Sequence, residues 1–305
     1  MFSSNIIWYL FFAGTGSGAT FVAFVLDSYL RRFKPQHFKQ YRQLITWGLI
    51  SGILLVILGG VFLVLDLGRL DRITSLFVNP AFSIVTLGAW GLVLFLLVNI
   101  AQVVLRLYFA NLIPKWAHIA LRWLGAAASL FVMSYTGILL QSLHSVHFWA
   151  TPLLPVLFVL SSLSSGLALL VVLGAFKQGN GIKLKTLVRI SRAHIPLIIC
   201  ELLILTIYTW LMLEGSASAV QASTNLIWGD YALLFWVGVV LSGLLLPIAV
   251  ELLTRHKSGW NSLVIGSTFL LVGALLLRFC ILGVGVLPKI QTGLGAVHLL
   301  LTILT

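Results

Sequence analysis

The chain has 305 residues, of which 60% are hydrophobic and only 9% are charged, with a mean hydropathy of +1.10. Apolar runs of about 20 residues recur along it, which excludes an ordinary soluble globular protein and predicts a polytopic membrane protein. The net charge of +12 would suggest nucleic acid binding in a soluble protein. Here the cations cluster in alternate loops, a pattern that membrane orientation explains, and no nucleic acid is expected.

Eight apolar runs predict eight transmembrane helices in one integral membrane domain over residues 1–305. The runs are continuous and do not alternate between apolar and polar residues, so they favour helices over barrel strands. The predicted spans lie near residues 5–29, 44–65, 81–105, 119–143, 153–176, 194–213, 231–252 and 261–286. The apolar tail at 291–305 is too short for a ninth span. The expected fold class is therefore all-α, a polytopic membrane helix bundle.

Lysine and arginine predict which side each loop faces, because cytoplasmic loops carry the excess of these residues. Fifteen of the nineteen cations lie in the first, third, fifth and seventh loops, and three lie on the other side. The remaining cation, Arg278, lies inside the last span. This bias predicts that both termini are on the non-cytoplasmic side. The first run is too long for a cleavable signal peptide, so we expect it to remain in the mature protein.

A glycine-rich stretch in the first span, Gly14 to Gly18, superficially resembles a phosphate-binding loop. It follows no strand, so close helix packing is the preferred interpretation. No histidine lies in the middle of a predicted span, which disfavours a bis-histidine haem, and no metal site is predicted. Cys200 and Cys280 are too few to bind an iron–sulfur cluster, and we expect two buried free thiols.

Charged groups inside or at the ends of spans are the candidate functional residues, since each costs about 2.5–3.5 kcal/mol in the middle of a bilayer. Counting a rise of about 1.5 Å per residue places Arg278 in the outer part of its span and Glu201 about 10 Å from the cytoplasmic end. Arg278 is therefore expected to join an outer group around Asp66. An inner set is expected to contain Glu201, Asp27, Arg106 and Glu251. Snorkelling at helix ends is the alternative for the last three of these residues.

The outer loop after the second span concentrates charge, with Asp66, Arg69, Asp71 and Arg72 within seven residues. This loop either serves the outer group functionally or forms a local turn or helix cap. For Glu201 and Arg278, a purely structural polar contact is the alternative.

Several short motifs occur in order along nearly the whole chain. They are Leu65-Asp66-Leu67-Gly68-Arg69, Asn79-Pro80, Gly88-Ala89-Trp90, Tyr135-Thr136-Gly137, Ser164-Ser165-Gly166, Glu201-Leu202 and Leu277-Arg278-Phe279. Together they resemble the NrfD/polysulfide reductase membrane-subunit family. The resemblance implies a haem-free anchor in the cytoplasmic (inner) membrane that exchanges electrons between quinone, either menaquinone or ubiquinone, and a ferredoxin-like iron–sulfur subunit. It further implies a molybdopterin catalytic subunit on the outer face and no iron–sulfur cluster in this chain.

The resemblance also implies a quinone near the outer surface, contacted by Tyr135. Quinol oxidation releases two protons with its two electrons, so such a site needs a base, and Asp66 is predicted for that role. Arg69 or Arg278 would hold the resulting anion, and His144 would pass protons to water, unless it is an ordinary interfacial histidine. The predicted quinone site comprises Asn5, Tyr9, Asp66, Arg69, Tyr135, His144 and Arg278.

In an electrogenic complex, the inner set would conduct protons from the cytoplasm. The alternative function is a secondary transporter or channel in which Glu201 and Arg278 line a substrate path. The sequence shows none of the internal repeats that many transporters carry. An anchor that tethers its partners without quinone chemistry is the second alternative.

Overall fold

The structure, a computed structural model, describes residues 4–67, 83–109, 114–176, 184–253 and 259–285. The described residues form helices, which confirms the all-α prediction. The helices are α1 (Ser4–Phe33), α2 (Phe38–Leu67), α3 (Ile84–Leu107), α4 (Lys115–Gln141), α5 (Leu153–Phe176), α6 (Leu184–Ser191), α7 (His194–Leu213), α8 (Ala217–Ile227), α9 (Leu246–Leu253) and α10 (Trp260–Gly283). A π-helical segment, Leu234–Leu245, runs directly into α9.

Eight segments of the described chain are long and apolar enough to cross a membrane, as predicted. The sixth crossing differs from the expected one, because it starts at Leu187 in α6 and continues through α7 to Leu213. The seventh combines the π-helical segment with α9, over Leu234–Leu253. The sequence did not predict α8, which follows the sixth crossing. The tail at 291–305 lies outside the described residues, and the single-domain assignment stays a prediction.

Helices α1 and α5 form the centre of the bundle. Helix α1 packs against α2, α4, α5 and α10, and α5 packs against α1, α4, α7 and α10. A Cβ atom added at Gly18 would overlap the backbone of Ser162, and one added at Gly166 would overlap the backbone of Gly18. The glycines therefore let the two central backbones approach closely. The packing interpretation of Gly14 to Gly18 is confirmed.

The seventh crossing begins in π-helical geometry, which is rare over twelve residues. Pro247 follows this segment, and a proline ring crowds the carbonyl four residues earlier and removes one helical hydrogen bond. The carbonyl concerned belongs to Gly243, whose backbone lies directly against Gly273 of α10. The altered winding thus occurs where a proline and a close helix contact coincide.

One expectation about individual side chains is wrong. Cys280 is buried but Cys200 is exposed on the outer surface of α7, so only one of the two free thiols is buried. Trp149 is buried, and its Nε1 donates to the carbonyl of Ile281 at 2.8 Å. An indole with a buried hydrogen bond of this kind fixes the turn after α4 to the end of α10.

The two ends of the bundle are named here by residues of α1. The Tyr9 end contains the start of α1, and the Asp27 end contains its last turns. Because consecutive crossings alternate in direction, the end of α4, the start of α5 and the end of α10 also lie at the Tyr9 end. The starts of α4, α7 and α10 lie at the Asp27 end.

The contact between α1 and α5 predicts the effect of Gly18→Ala. The added methyl group meets backbone atoms that cannot rotate away, so overpacking should lower the free energy of unfolding by about 1–3 kcal/mol. Gly60→Ala is the matched control, since nothing lies within 4 Å of a Cβ atom there. Thermal unfolding in detergent micelles measures both variants. Equal midpoints for the two would contradict the packing.

Candidate functional site

Two buried tyrosines, Tyr9 and Tyr135, lie near each other at the Tyr9 end. Tyr9 of α1 is fully buried, and its hydroxyl has no hydrogen-bond partner among the described residues. Tyr135 of α4 lies close enough for the two phenols to interact electrostatically. The ring of Tyr135 stacks on Phe131 with centroids 6.2 Å apart. It also occupies the space that a Cβ atom at Gly88 of α3 would fill. The pair therefore presents at least one buried phenol oxygen without a partner.

The other predicted residues of the Tyr9 end lie further out. The backbone of Tyr9 is level with Gly59 of α2, and Asp66 is seven residues beyond Gly59. That interval corresponds to about 10 Å along a helix axis. Asp66 and Asn5 are half-buried, and His144 is exposed, with its Nδ1 2.9 Å from the carbonyl oxygen of Ser142. We term these three residues, which are more exposed than the tyrosine pair, the rim, whereas Arg69 lies outside the described residues.

Arg278 is fully buried inside the bundle. Its Nε donates to the carbonyl of Leu10 at 3.1 Å, and its Nη2 donates to the hydroxyl of Ser162 at 3.0 Å. Its Nη1 donates to the carbonyl of Ala274 at 2.8 Å and to the hydroxyl of Ser161 at 3.3 Å. One guanidinium group therefore joins α1, α5 and α10, next to the helical turn that holds Tyr9.

The prediction that Glu201 and Arg278 lie at different depths is wrong. The buried carboxylate of Glu201 lies near the hydroxyls of Ser161 and Ser164 and is attracted by the charge of Arg278. The sixth crossing starts at Leu187, so Glu201 lies fourteen residues into it, or about 21 Å. The side chain of Arg278 points back toward the start of α10, as its bond to Ala274 requires. The deeper position of Glu201 and the direction of the Arg278 side chain bring the two charges together.

The placement of Arg278 beside Asp66 is wrong for a related reason. Arg278 binds at the level of Leu10, whereas Asp66 lies about 10 Å beyond the level of Tyr9 toward the end of the bundle. The side chain of Arg278 also points away from that end. The outer group is therefore divided between a rim and a deeper site.

The inner set of four residues is likewise divided. Asp27 and Arg106 do lie together, since Arg106 Nη1 donates to Asp27 Oδ1 at 2.9 Å. Asp27 also accepts from Arg31 at 2.7 Å and from Arg122 at 2.9 Å, so three arginines surround one buried carboxylate. Glu201 instead contacts the Arg278 site. The distance of a residue from its helix end indicates its depth in the membrane. It does not indicate which neighbouring helix the side chain faces, so the four residues could not be sorted into separate sites.

Glu251 belongs to a third group, near the start of α7. It lies close to Ser191 and the charge of Arg192, and its buried Oε1 has no hydrogen-bond partner in the described part of the chain. His194 lines the same small cavity, of about 20 Å³, together with Ser267 and Leu270. The Nε2 of His194 is buried and likewise has no described partner. A cavity of this size has room for about one water molecule.

Leu270 lies between this cavity and the next polar site. It also lines a smaller cavity, of about 10 Å³, with Glu201, Ser164 and Gly273. Polar groups thus follow one another from Glu251 and His194, past Leu270, to Glu201 and Arg278, and on to Leu10 and Tyr9. This succession, which we term the polar line, runs between α5, α7, α9 and α10 before it reaches α1.

Sequence reasoning missed His194 because it placed this residue at the start of a span. The buried residues of α7 are His194, Ile198, Glu201, Leu205 and Tyr208. Their spacing of three or four residues is the repeat of one helix face. The sequence signal that could have identified His194 is therefore its position seven residues before Glu201, on the same helix face.

Comparison with known proteins gives a consistent match over nearly the whole chain. The family model described as "Polysulphide reductase, NrfD" matches residues 1–288. Protein NrfD of Escherichia coli is 30% identical over 312 residues, which cover 92% of this chain and 95% of that protein. The NrfD homolog of Haemophilus influenzae is 29% identical with the same coverage of each protein. The C chain of polysulfide reductase from Wolinella succinogenes is 28% identical over 308 residues, again covering 92% and 95%.

The proximity of Glu201 and Arg278 predicts that their substitutions are not additive. Glu201→Gln and Arg278→Gln should each destabilise the protein, and the double variant should lose less than the sum, by about 0.5–3 kcal/mol. Unfolding in mixed micelles gives the three values. Combining Glu201→Gln with Arg122→Gln, which removes a partner of Asp27, is the control and should be additive. Additivity in the first pair would contradict the electrostatic contact.

Proposed function

Since the chain belongs to the polysulphide reductase, NrfD family, we propose that it is a membrane anchor that exchanges electrons between membrane quinone and an iron–sulfur subunit of an oxidoreductase. The observation that carries the proposal is the buried Tyr9–Tyr135 pair with its unpartnered phenol oxygen. A buried hydroxyl without a partner costs free energy unless a ligand provides one. A quinone carbonyl oxygen is an acceptor of the required kind.

The residues around the pair suit a quinone. A bound quinol supplies two electrons and two protons when it is oxidised. Tyr9 and Tyr135 donate hydrogen bonds to the ring oxygens, and the absence of a side chain at Gly88 leaves room for the Tyr135 ring. Arg278 donates a hydrogen bond to the carbonyl of Leu10, the residue that follows Tyr9. It therefore provides a positive charge close to the site.

Proton release toward the Tyr9 end is assigned to the rim. Asp66 accepts a proton there, His144 passes protons to water, and Asn5 is a further polar residue of the site. Arg69, predicted from the sequence to hold the resulting anion, lies outside the described residues. Because about 10 Å of helix separates the level of Asp66 from that of Tyr9, Asp66 acts through an intervening water or after movement of the quinone headgroup. Tyr135 and Tyr9, and not Asp66, contact the quinone ring in this scheme.

The polar line provides a second route, from the Asp27 end. Glu251 and His194 collect protons in the first cavity, Leu270 separates it from the second, and Glu201 holds a proton beside Arg278. Asp27 and Arg106 are left out of this route, since three arginines already bind the Asp27 carboxylate. His194 replaces Asp27 and Arg106 in the proposed proton route.

We assign the Asp27 end to the cytoplasm because the loops there carry most of the lysines and arginines. Both termini then lie outside the cytoplasm, and the tyrosine pair lies toward the outer face of the inner membrane. The partners proposed there are a ferredoxin-like iron–sulfur subunit and a molybdopterin catalytic subunit. One relative is named as one chain of polysulfide reductase, which fits a subunit of a larger complex.

Tyr135→Phe tests the quinone site in the complete complex. Loss of one hydrogen bond worth about 0.5–1.5 kcal/mol should lower quinol-dependent reduction of the partner by up to about tenfold. The thermal midpoint and the amount of bound partner should not change. Tyr108→Phe, at an exposed position, is the control. A wild-type rate for Tyr135→Phe would favour a tether without quinone chemistry.

Glu201→Gln tests the polar line in proteoliposomes that contain the complex. Proton uptake from the cytoplasmic side per quinol oxidised should fall, because the amide cannot exchange a proton, and turnover should slow by about tenfold or more. Glu214→Gln is the matched control, since Glu214 is an exposed acid just after α7. Unchanged proton stoichiometry in Glu201→Gln would remove the route.

A further inference from the structure

A large cationic cavity lies at the Asp27 end, remote from the tyrosine pair. It has a volume of about 460 Å³, within the range of small-molecule sites. Helices α1, α2, α3 and α4 surround it. Five cations line it: Arg31, Arg42, Arg106, Lys115 and Arg122.

The positive charge of this cavity is not balanced by the described acidic residues. The only described carboxylate bound to these cations is Asp27, which pairs with Arg31, Arg106 and Arg122. Arg31 and Arg42 both lie near enough to repel Arg106. Five cations therefore share one carboxylate, which leaves a formal excess of four positive charges around a single space.

Arg106 has hydrogen-bond donors that no described group accepts. Its side chain is 11% exposed, and only Nη1 is bonded to Asp27. Both Nε and Nη2 are buried and have no hydrogen-bond partner among the described residues. A guanidinium presents its donors in a planar fork that matches the oxygens of a phosphate. These unpaired donors therefore point to an oxyanion ligand.

The remaining lining of the cavity combines the polar side chains of Gln102 and His118 with apolar ones. Phe38, Ile119 and Leu121 contribute to it, and Arg31 stacks over the ring of Phe38 at 4.2 Å from its centroid. Trp116, next to Lys115 in the chain, and Tyr108, two residues after Arg106, are largely exposed aromatic side chains of the kind that lie at the membrane interface. A ligand with an anionic head and an apolar body fits this combination better than a free anion.

We propose that this cavity binds the phosphate headgroup of an anionic phospholipid from the leaflet at the Asp27 end. Basic pockets between transmembrane helices commonly take such headgroups. The phosphate oxygens meet Arg106, Arg42 and Lys115, and the glycerol region and acyl chains lie along the apolar lining. The lipid thereby joins the first four helices of the bundle, independently of the redox role.

The test measures binding of dioctanoyl phosphatidylglycerol to the full chain in a neutral detergent. Thermal midpoint is followed against lipid concentration, with dioctanoyl phosphatidylcholine and inorganic phosphate as parallel ligands. We expect a saturable rise with phosphatidylglycerol that is far weaker with the other two. Raised salt should reduce it, because the attraction is electrostatic.

The variant Arg42→Gln/Lys115→Gln removes two lining cations and leaves the three bonds to Asp27 intact. It should weaken phosphatidylglycerol binding by about thirtyfold. Arg32→Gln is the matched control, because Arg32 is an exposed cation of the same end that does not line the cavity. If the double variant is too unstable for thermal titration, native mass spectrometry provides a second measurement, because it counts the lipid molecules retained by each variant directly.

Three outcomes would overturn the proposal. Equal affinity of the double variant and Arg32→Gln would show that the lining cations do not bind the lipid. An equal response to phosphatidylcholine would show that the phosphatidylglycerol charge is not recognised. A response to inorganic phosphate that matches phosphatidylglycerol would identify a free anion as the ligand.

Discussion

The buried guanidinium of Arg278 is the interaction on which the arrangement of the bundle centre depends. A fully buried arginine needs acceptors for its five donors and a compensating charge. Leu10, Ser161, Ser162 and Ala274 accept its hydrogen bonds, and Glu201 supplies the nearby negative charge. These contacts hold α1, α5, α7 and α10 in one register. They also fix the helical turn of α1 that presents Tyr9 to Tyr135.

Small residues make this arrangement possible. A Cβ atom at Gly14 would come within 2.7 Å of Arg278 Nη2, so the guanidinium reaches α5 only because that position is glycine. One turn further along the same face, Gly18 and Gly166 bring the backbones of α1 and α5 into contact. The first span thus uses its glycines for two purposes, helix packing and access for a charged side chain. Neither purpose requires a phosphate ligand.

The sequence predicted the features that depend on composition and on local pattern. Long apolar runs predicted eight crossings, and the glycine stretch predicted a close helix contact without identifying the partner helix. The prediction from sequence was wrong where a helix begins in a charged segment. Lys185 and Arg189 make the segment before His194 look like a loop, yet α6 begins there and the crossing starts at Leu187. That shift alone moved Glu201 deeper and concealed the burial of His194.

Contacts between distant segments were also beyond sequence reasoning. The predicted set of Asp27, Arg106, Glu201 and Glu251 contained one real pair, Asp27 with Arg106. It missed Arg122 of α4, which also binds Asp27 from far along the chain. Nothing in the spacing of these residues indicates which helices are neighbours. The tyrosine pair was predictable only through the family resemblance, because a single tyrosine in each of two spans gives no local signal.

The central claim is that a quinone ring lies against Tyr9 and Tyr135. Photolabelling of the intact complex with an azido-quinone, followed by mass spectrometry of the peptides, tests it most directly. The account predicts that α1 near Tyr9 or α4 near Tyr135 carries the label, and that excess unlabelled quinone prevents the reaction. Labelling confined to α7 or α9, with neither tyrosine-bearing segment modified, would contradict the claim.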